Sequence, residues 1–227
     1  MLFLSKPALC LPAMLDAARI AALLQPFVPD VSPELADQLQ EYLDLLLRWN
    51  ARTNLTAIRD PEQIITRHFG ESLFAASALR DAGAFAASND HTVTVADVGS
   101  GAGFPGIPIK LAAPAVHLTL IESQHKKATF LREVARTLGL SHVVVHCGRA
   151  ENWEGGADIV SLRAVEKFEH ALPVASSLVA PAGRLCLLIG SAQLPRAAQL
   201  LGPGWHLAPP REVPQSSGRI ALLARRE

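Results

Sequence analysis

The chain has few of the features that mark exported, membrane-spanning or metal-bound proteins. Its 227 residues contain three cysteines, Cys10, Cys147 and Cys186. They are odd in number, far apart and without metal-ligand spacing, which predicts small buried apolar residues in a reduced, cytoplasmic protein and no metal site. No run reaches the roughly eighteen uncharged apolar residues of a transmembrane helix. The apolar opening around Lys6 has a faint look of a signal peptide, but Asp16 and Arg19 continue it as an amphipathic pattern, not a cleavage region. Aromatic residues make up only 5% of the chain, so the core must come mainly from Leu, Val, Ile and Ala. The net charge is zero, which argues against a general nucleic-acid coat. The charge is unevenly spread, however: residues 1–90 hold seven Lys/Arg against eleven Asp/Glu, and residues 91–227 hold fourteen against ten. A local basic footprint for RNA stays open.

What is present divides into two textures. Three helical patterns fill the first eighty or so residues. In the second, Leu35, Leu39, Leu43, Leu46 and Trp49 recur at spacings of three and four, one apolar helical face, with Ser32-Pro33 as cap and first turn. Asn50–Arg59 breaks the pattern, and Asp60-Pro61 opens the third helix, which runs to about Leu79 with His68 at an inner position. Residues 82–91 read as a linker. Beyond it, short β-branched runs at Val93–Val98, His117–Ile121, Val143–His146, Ile159–Leu162, Arg184–Ile189 and Ile220–Leu223 alternate with helical patterns such as Lys126–Leu138 and Val165–Val179. That alternation predicts an α/β protein with a mostly parallel sheet covered on both faces. Residues 200–218, rich in Pro and Gly, carry no clear assignment.

The chemistry concentrates where the first strand ends, in Asp97-Val98-Gly99-Ser100-Gly101-Ala102-Gly103-Phe104-Pro105-Gly106. Four glycines in eight residues let the chain turn through left-handed angles and let a ligand approach the backbone, at the carboxyl end of a central strand where open parallel sheets bind ligands. Glu122 ends the next strand at a distance suited to ribose hydroxyls. The pattern serves NAD and S-adenosylmethionine (SAM) alike; a P-loop is excluded because Gly-Lys-Ser/Thr is missing. Pro105 and Pro108 permit only a short or late helix after the turn, which disfavours a dinucleotide pyrophosphate. No second domain for an oxidisable substrate is evident either. Lys126 and Lys127 open a helix, where the dipole disfavours cations; they are either a solvated face or neighbours of an anionic partner.

The ordered set Arg48-Trp49-Asn50, Thr53-Asn54-Leu55-Thr56, Arg67-His68, the glycine turn through Ile107-Pro108, Lys126-Lys127 with Phe130-Leu131, Arg149-Ala150-Glu151 and Ser161-Leu162-Arg163-Ala164 resembles the RsmG (GidB) family, bacterial SAM-dependent 16S rRNA guanine-N7 methyltransferases. The likeness runs from about residue 33 almost to the C-terminus. Against the family pattern, Glu71 and Glu122 stand where Asp is more usual, and Ile189 stands where a Lys is common, removing a cation near the cleft. The resemblance implies a Rossmann-like methyltransferase fold with a seven-stranded, mostly parallel sheet. A helical segment over residues 1–90 would pack on and partly cap a catalytic domain over residues 91–227. It implies SAM as cofactor and methyl transfer to N7 of the guanine numbered 527 in the standard small-subunit RNA scheme. A monomer is expected, with 16S rRNA or the small ribosomal subunit as partner and no membrane or metal.

By the same resemblance, Asp97, Gly99, Ser100, Gly101, Gly103, Phe104, Glu122, Ala150 and Glu151 are candidates for the cofactor. Arg163 and Arg149 are catalytic candidates that position the guanine or its phosphate. Arg48, Asn50, Arg52, Asn54, Arg67, His68, Lys126 and Lys127 are candidates for RNA. Plainer readings stand beside these: Asp97 pinning the turn, Glu122 at a solvated strand end, Arg163 in a salt bridge, Trp49 in core packing and His68 as a satisfied buried histidine. Rival functions are a SAM methyltransferase of another substrate, an NAD-dependent oxidoreductase, and a non-catalytic RNA-binding module.

Overall fold

The computed structural model describes residues 15–86, 91–164 and 167–227. Lys6 and Cys10, part of the linker (87–90) and Val165 at the start of an expected helix lie outside them. The N-terminal patterns form α1 (Ala17–Leu24), α2 (Pro33–Asn50) and a third run made of α3 (Pro61–Ile64), a π-helical segment (Ile65–Gly70) and α4 (Glu71–Asp81). The starts follow from capping chemistry. Asp16 accepts the Arg19 N–H at 2.7 Å, Ser32 that of Leu35 at 3.2 Å and Asp60 that of Gln63 at 2.8 Å. Pro33 and Pro61 occupy first-turn positions where a missing N–H costs nothing.

After the linker come β1 (Thr94–Val98), α5 (Gly106–Ala112), β2 (His117–Glu122), α6 (His125–Thr137), β3 (Val143–Cys147) and β4 (Ala157–Arg163). These are followed by α7 (Phe168–Ser177), β5 (Val179–Gly190), α8 (Leu194–Leu201), β6 (Trp205–Leu207), β7 (Arg211–Glu212) and β8 (Arg219–Arg226). One sheet runs in the order β3-β2-β1-β4-β5-β8-β6, with β7 beside β8. The first five strands are mutually parallel, and β8 is antiparallel to β5, β6 and β7. The expectation of seven strands is therefore corrected to eight among the described residues. Two of them, β6 and β7, come from the stretch 200–218 that had no assignment. They are three and two residues long, too short to show a period, and they exist because β8 offers an edge to pair with.

Strand alternation splits the core in two. Ala96, Val98, Val160, Leu162, Leu185 and Leu187 face α7 and α8. Val95, Leu118, Leu120, Ile159, Cys186 and Leu188 face the other way, into one cluster with Ile20, Leu39, Leu43, Ile65, Phe69 and Leu79 of the N-terminal helices. Those helices thus cover a sheet face directly. This face also carries Asp97 and Ser161, which stand side by side in the β1–β4 register. No helix among the described residues is long and apolar enough to cross a membrane, and none of their His, Cys, Asp and Glu side chains gather into a group able to hold a metal.

Candidate active site

The strand order reverses direction at β1, between β2 and β4, so the glycine turn lies at the crevice that such a switch opens. Gly99, Gly101 and Gly103 all hold positive φ, at 68°, 57° and 91°, a region open to glycine and strained for other residues. The Phe104–Pro105 peptide is cis, and α5 starts only at Gly106 and lasts seven residues, as the prolines predict. Gly106 packs closely on β1: a Cβ there would stand 2.8 Å from the Asp97 carboxylate and 2.7 Å from Leu120.

Asp97 is 1% exposed. One carboxylate oxygen accepts the Ser161 hydroxyl at 2.7 Å and the other the Gly106 N–H at 3.2 Å, while Ser100 donates to the Asp97 carbonyl at 2.8 Å. Burial raises its pKa from 3.8 to about 6 against those hydrogen bonds and the nearby Arg163. The geometry is that of a pin beneath the turn. Glu122 does the same from β2: its carboxylate accepts the Gly101 N–H at 2.9 Å and the Gln124 N–H at 2.7 Å. Each carboxylate oxygen has two lone pairs, so acceptor capacity remains on both.

A cleft of about 300 Å³ opens beside this corner, lined by Val98, Gly99, Ile121 and Ser123, by Gly148, Arg149, Ala150 and Glu151, and by Lys167 and the α7 residues His170, Ala171 and Val174. That size sits at the lower end of small-molecule sites. Arg149 therefore joins the cofactor candidates and not the other arginines. Lys126 and Lys127 lie on the first turn of α6, outside the residues that line this cleft.

Phe104 is turned inward. Its ring stacks on Tyr42 at 5.5 Å and on His68 at 5.0 Å, and meets Phe69 edge-on at 5.0 Å. Tyr42, wholly buried on α2, donates its hydroxyl to the Ala102 carbonyl of the turn. Neither Tyr42 nor its bond figured among the sequence candidates. The signal was there in principle: it is the chain's one tyrosine, set in a leucine face where a hydroxyl demands a partner.

The dispersed motif residues upstream meet in a second network. Asn50 is buried and holds its own loop together, accepting the Leu55 and Thr56 N–H groups at 2.9 and 3.1 Å and donating to the Thr56 carbonyl at 3.0 Å. Asn54 accepts from Arg59 at 3.0 Å. Thr56 bonds the His68 Nε2 at 2.7 Å. The His68 Nδ1 faces the Arg163 guanidinium at 3.2 Å, and since arginine only donates, Nδ1 accepts and the proton sits on Nε2. Burial first, then Arg163 and Arg67, lowers the His68 pKa from 6.5 to about 3, so the ring is neutral at physiological pH.

Arg163 also donates to the Arg67 carbonyl at 2.6 Å and to Glu71 at 3.0 Å. Its side chain is 10% exposed, so the buried ion pair describes it. Asn50, His68 and Arg163 are thus engaged inside the protein, with Glu71 as the anchor that the candidate set lacked. Trp49 is half-buried, edge-on to Phe130 at 5.6 Å, and its indole donates to Glu133 at 3.0 Å. Arg48 and Arg52 line a broad groove beside it.

Solved structures place the architecture in a class. A magnesium protoporphyrin IX methyltransferase from Synechocystis PCC 6803 with bound SAM superposes with a TM-score of 0.60, at 15% identity, over 82% of this chain and 97% of that one. A ribosomal protein L11 methylase from Lactobacillus delbrueckii subsp. bulgaricus does so with a TM-score of 0.56, at 18% identity, over 70% and 79%. The fold is the Rossmann-like methyltransferase fold. Residues 35–200 match the family model described as rRNA small subunit methyltransferase G. Proteins of that name are 37% identical over 193 residues in Stenotrophomonas maltophilia (strain K279a), covering 83% of this chain and 85% of the relative. In Xanthomonas campestris pv. campestris (strain B100) the figure is 36% over 214 residues, covering 86% and 94%. The chain belongs to the rRNA small subunit methyltransferase G family.

Proposed function

We propose that the protein transfers the methyl group of SAM to N7 of a guanine in the 16S rRNA of the small ribosomal subunit. The observation that supports this most directly is the junction at the end of β1. A glycine turn, pinned from below by Asp97 and from the side by Glu122, adjoins a neutral His68 and an arginine cluster through the single ring of Phe104.

SAM fits the residues at the turn. Gly101 holds a φ of 57°, and a Cβ there would meet nothing nearer than 3.8 Å, leaving the backbone open to a ligand. Glu122 keeps acceptor lone pairs for ribose hydroxyls, and Ala150 offers a small apolar wall where an adenine would lie. Bound there, SAM supplies an electrophilic methyl group on a sulfonium centre. The protein's own part is orientation. Guanine N7 carries a free lone pair, so no side chain needs to remove a proton, and the site's residues match that lenient demand. His68 has both ring nitrogens engaged, and Asp97 lies under the turn, out of reach of a substrate atom. Catalysis then rests on in-line positioning and exclusion of water. Arg48, Arg52, Arg67, Lys126 and Lys127 supply cationic surface for the RNA. The test is transfer of labelled methyl from SAM to unmodified small-subunit particles, with the modified base mapped. Label on guanine N7 is expected; label elsewhere or none overturns the reading.

A further inference from the structure

Three guanidinium groups converge on one buried carboxylate. Glu71 is 2% exposed; its Oε2 accepts from Arg163 at 3.0 Å, and its Oε1 accepts from both Arg67, at 3.2 Å, and Arg219. Arg219 opens β8 and stands opposite Gly190 of β5 in the register. The three arginines line a pocket of about 260 Å³ with His68, Gly190 and Gln193. Among the described residues Glu71 is the only carboxylate in it. With His68 neutral, the described side chains of the pocket set three positive charges against one negative charge.

The arrangement is not an even-handed salt bridge. Arg163 is almost wholly covered, whereas the Arg67 and Arg219 side chains are 40% and 37% exposed. Each of these two makes a single bond to Glu71 through one nitrogen, and a guanidinium carries five N–H donors in a rigid fork. Two like charges held on the same oxygen repel each other, and an anion with several oxygens between them would relieve that repulsion. The π-helical segment that carries Arg67 is a local departure of the kind found at functional sites. It turns Arg67 into the pocket while leaving its carbonyl to Arg163.

We propose that Arg67 and Arg219, held apart and aimed by Glu71, form a two-pronged clamp for a phosphodiester of the substrate RNA next to the base to be methylated. The inference rests on the RNA-methyltransferase reading and adds Arg219, a residue beyond the span 35–200 that the family model matches. Arg163 and Glu71 are positioning residues of the clamp; the RNA meets Arg67 and Arg219. A phosphodiester suits the site because its two anionic oxygens match two guanidinium forks, and the pocket lies one aromatic ring from the glycine turn.

The experiment measures affinity for unmodified small-subunit particles across a salt series, for the unsubstituted protein and for Arg67→Gln, Arg219→Gln, Arg219→Lys and Arg211→Gln. Removing one cation from a phosphate should lower the slope of log affinity against log salt by about 0.7–0.9. Arg67→Gln and Arg219→Gln should each show that decrease, with affinity about tenfold weaker at moderate salt and SAM affinity within about twofold. Arg219→Lys should restore the slope. Arg211, paired on the surface with Asp81, should leave it unchanged when substituted. Equal slopes for all proteins, even with lowered stability in Arg219→Gln, overturn the clamp and leave Arg219 a structural partner of Glu71. An equal fall in Arg211→Gln overturns it as well, by showing a general charge effect. Failure of the functional reading would appear elsewhere, as particles that take no label from the unsubstituted protein.

Discussion

Removing one oxygen atom from Tyr42 tests whether the N-terminal helices help to build the proposed SAM site. In Tyr42→Phe the ring keeps its packing against Phe104, Phe69 and Phe130, so no sizeable cavity forms and the cavity cost of a large-to-small change does not apply. The change removes the hydrogen bond to the Ala102 carbonyl, where Tyr42 is 0% exposed to bulk solvent. A buried acceptor left without its partner costs about 1–3 kcal/mol. That cost falls on the turn between Gly101 and Gly103, whose left-handed angles need support from outside the turn. A loss of about 1–2 kcal/mol corresponds to a roughly 5- to 30-fold change in an equilibrium. SAM affinity should weaken by that factor, read by calorimetric titration, while the denaturation midpoint falls modestly. If stability falls by the full amount and SAM affinity does not move, the bond supports the core only. The claim that α2 organises the turn is then refuted.

Three further outcomes follow from the same geometry. Gly103→Ala would force a side chain onto a φ of 91°, with its Cβ 2.6 Å from Ile107 and against the Tyr42 hydroxyl. The strain is about 1–3 kcal/mol, and SAM binding should drop more than about tenfold with a lowered Tm. Glu122→Gln leaves one of the Gly101 and Gln124 N–H groups facing an amide nitrogen. SAM affinity should fall about ten- to a hundredfold, on the scale of a hydrogen bond to a charged acceptor. Asp97 and His68 make opposed contributions to acid stability. The raised pKa of Asp97, about 6 against 3.8, gives stability that is present below the unfolded value and lost as pH rises through 6. The lowered pKa of His68, about 3 against 6.5, gives stability that is present above the unfolded value and lost as pH falls toward 3. Between them the two slopes, each about 1.4 kcal/mol per pH unit, cancel. Asp97→Asn removes one slope, so that variant should lose about 2–3 kcal/mol relative to the unsubstituted protein between pH 6 and 4, measured by urea midpoints. Parallel pH profiles would show that the pKa of Asp97 is not raised by burial as described.

The parts of the fold that were legible in the sequence are those with a local cause. The α2 face, the Ser32-Pro33 and Asp60-Pro61 starts and the six β-branched runs each announce themselves within a few residues, and each forms, although β5 begins five residues before its expected start and β8 ends three residues past its expected end. The glycine turn was legible because left-handed angles need glycine wherever the chain goes next, and the late start of α5 followed from its prolines. The strands β6 and β7 were not, because a two- or three-residue strand is defined by its neighbour's edge and not by its own composition. The π-helical segment was hidden for a similar reason: residue types along Ile65–Gly70 carry no signal that tells a π turn from an α turn, and the Arg67 carbonyl within it is bonded by Arg163, 96 residues away.

Of the glycine turn, the sequence by itself determined the position, the backbone freedom and the acid that ends the next strand, since these are set by residue types at fixed spacing along one chain segment. Which of the candidate RNA-binding side chains are engaged inside the protein was decided only by the tertiary structure. Asn50, His68 and Arg163 look like surface recognition groups in a linear motif, yet they are engaged inside the protein, because a buried polar group must find its partners there. Arg219 looks like an ordinary strand-end cation. It joins the cluster around Glu71 because the antiparallel register of β8 on β5 sets it across from Gly190, beside a carboxylate 148 residues away in sequence. Spacing along the chain carries no trace of such a meeting; only the packing of two sheet strands against one helix creates it.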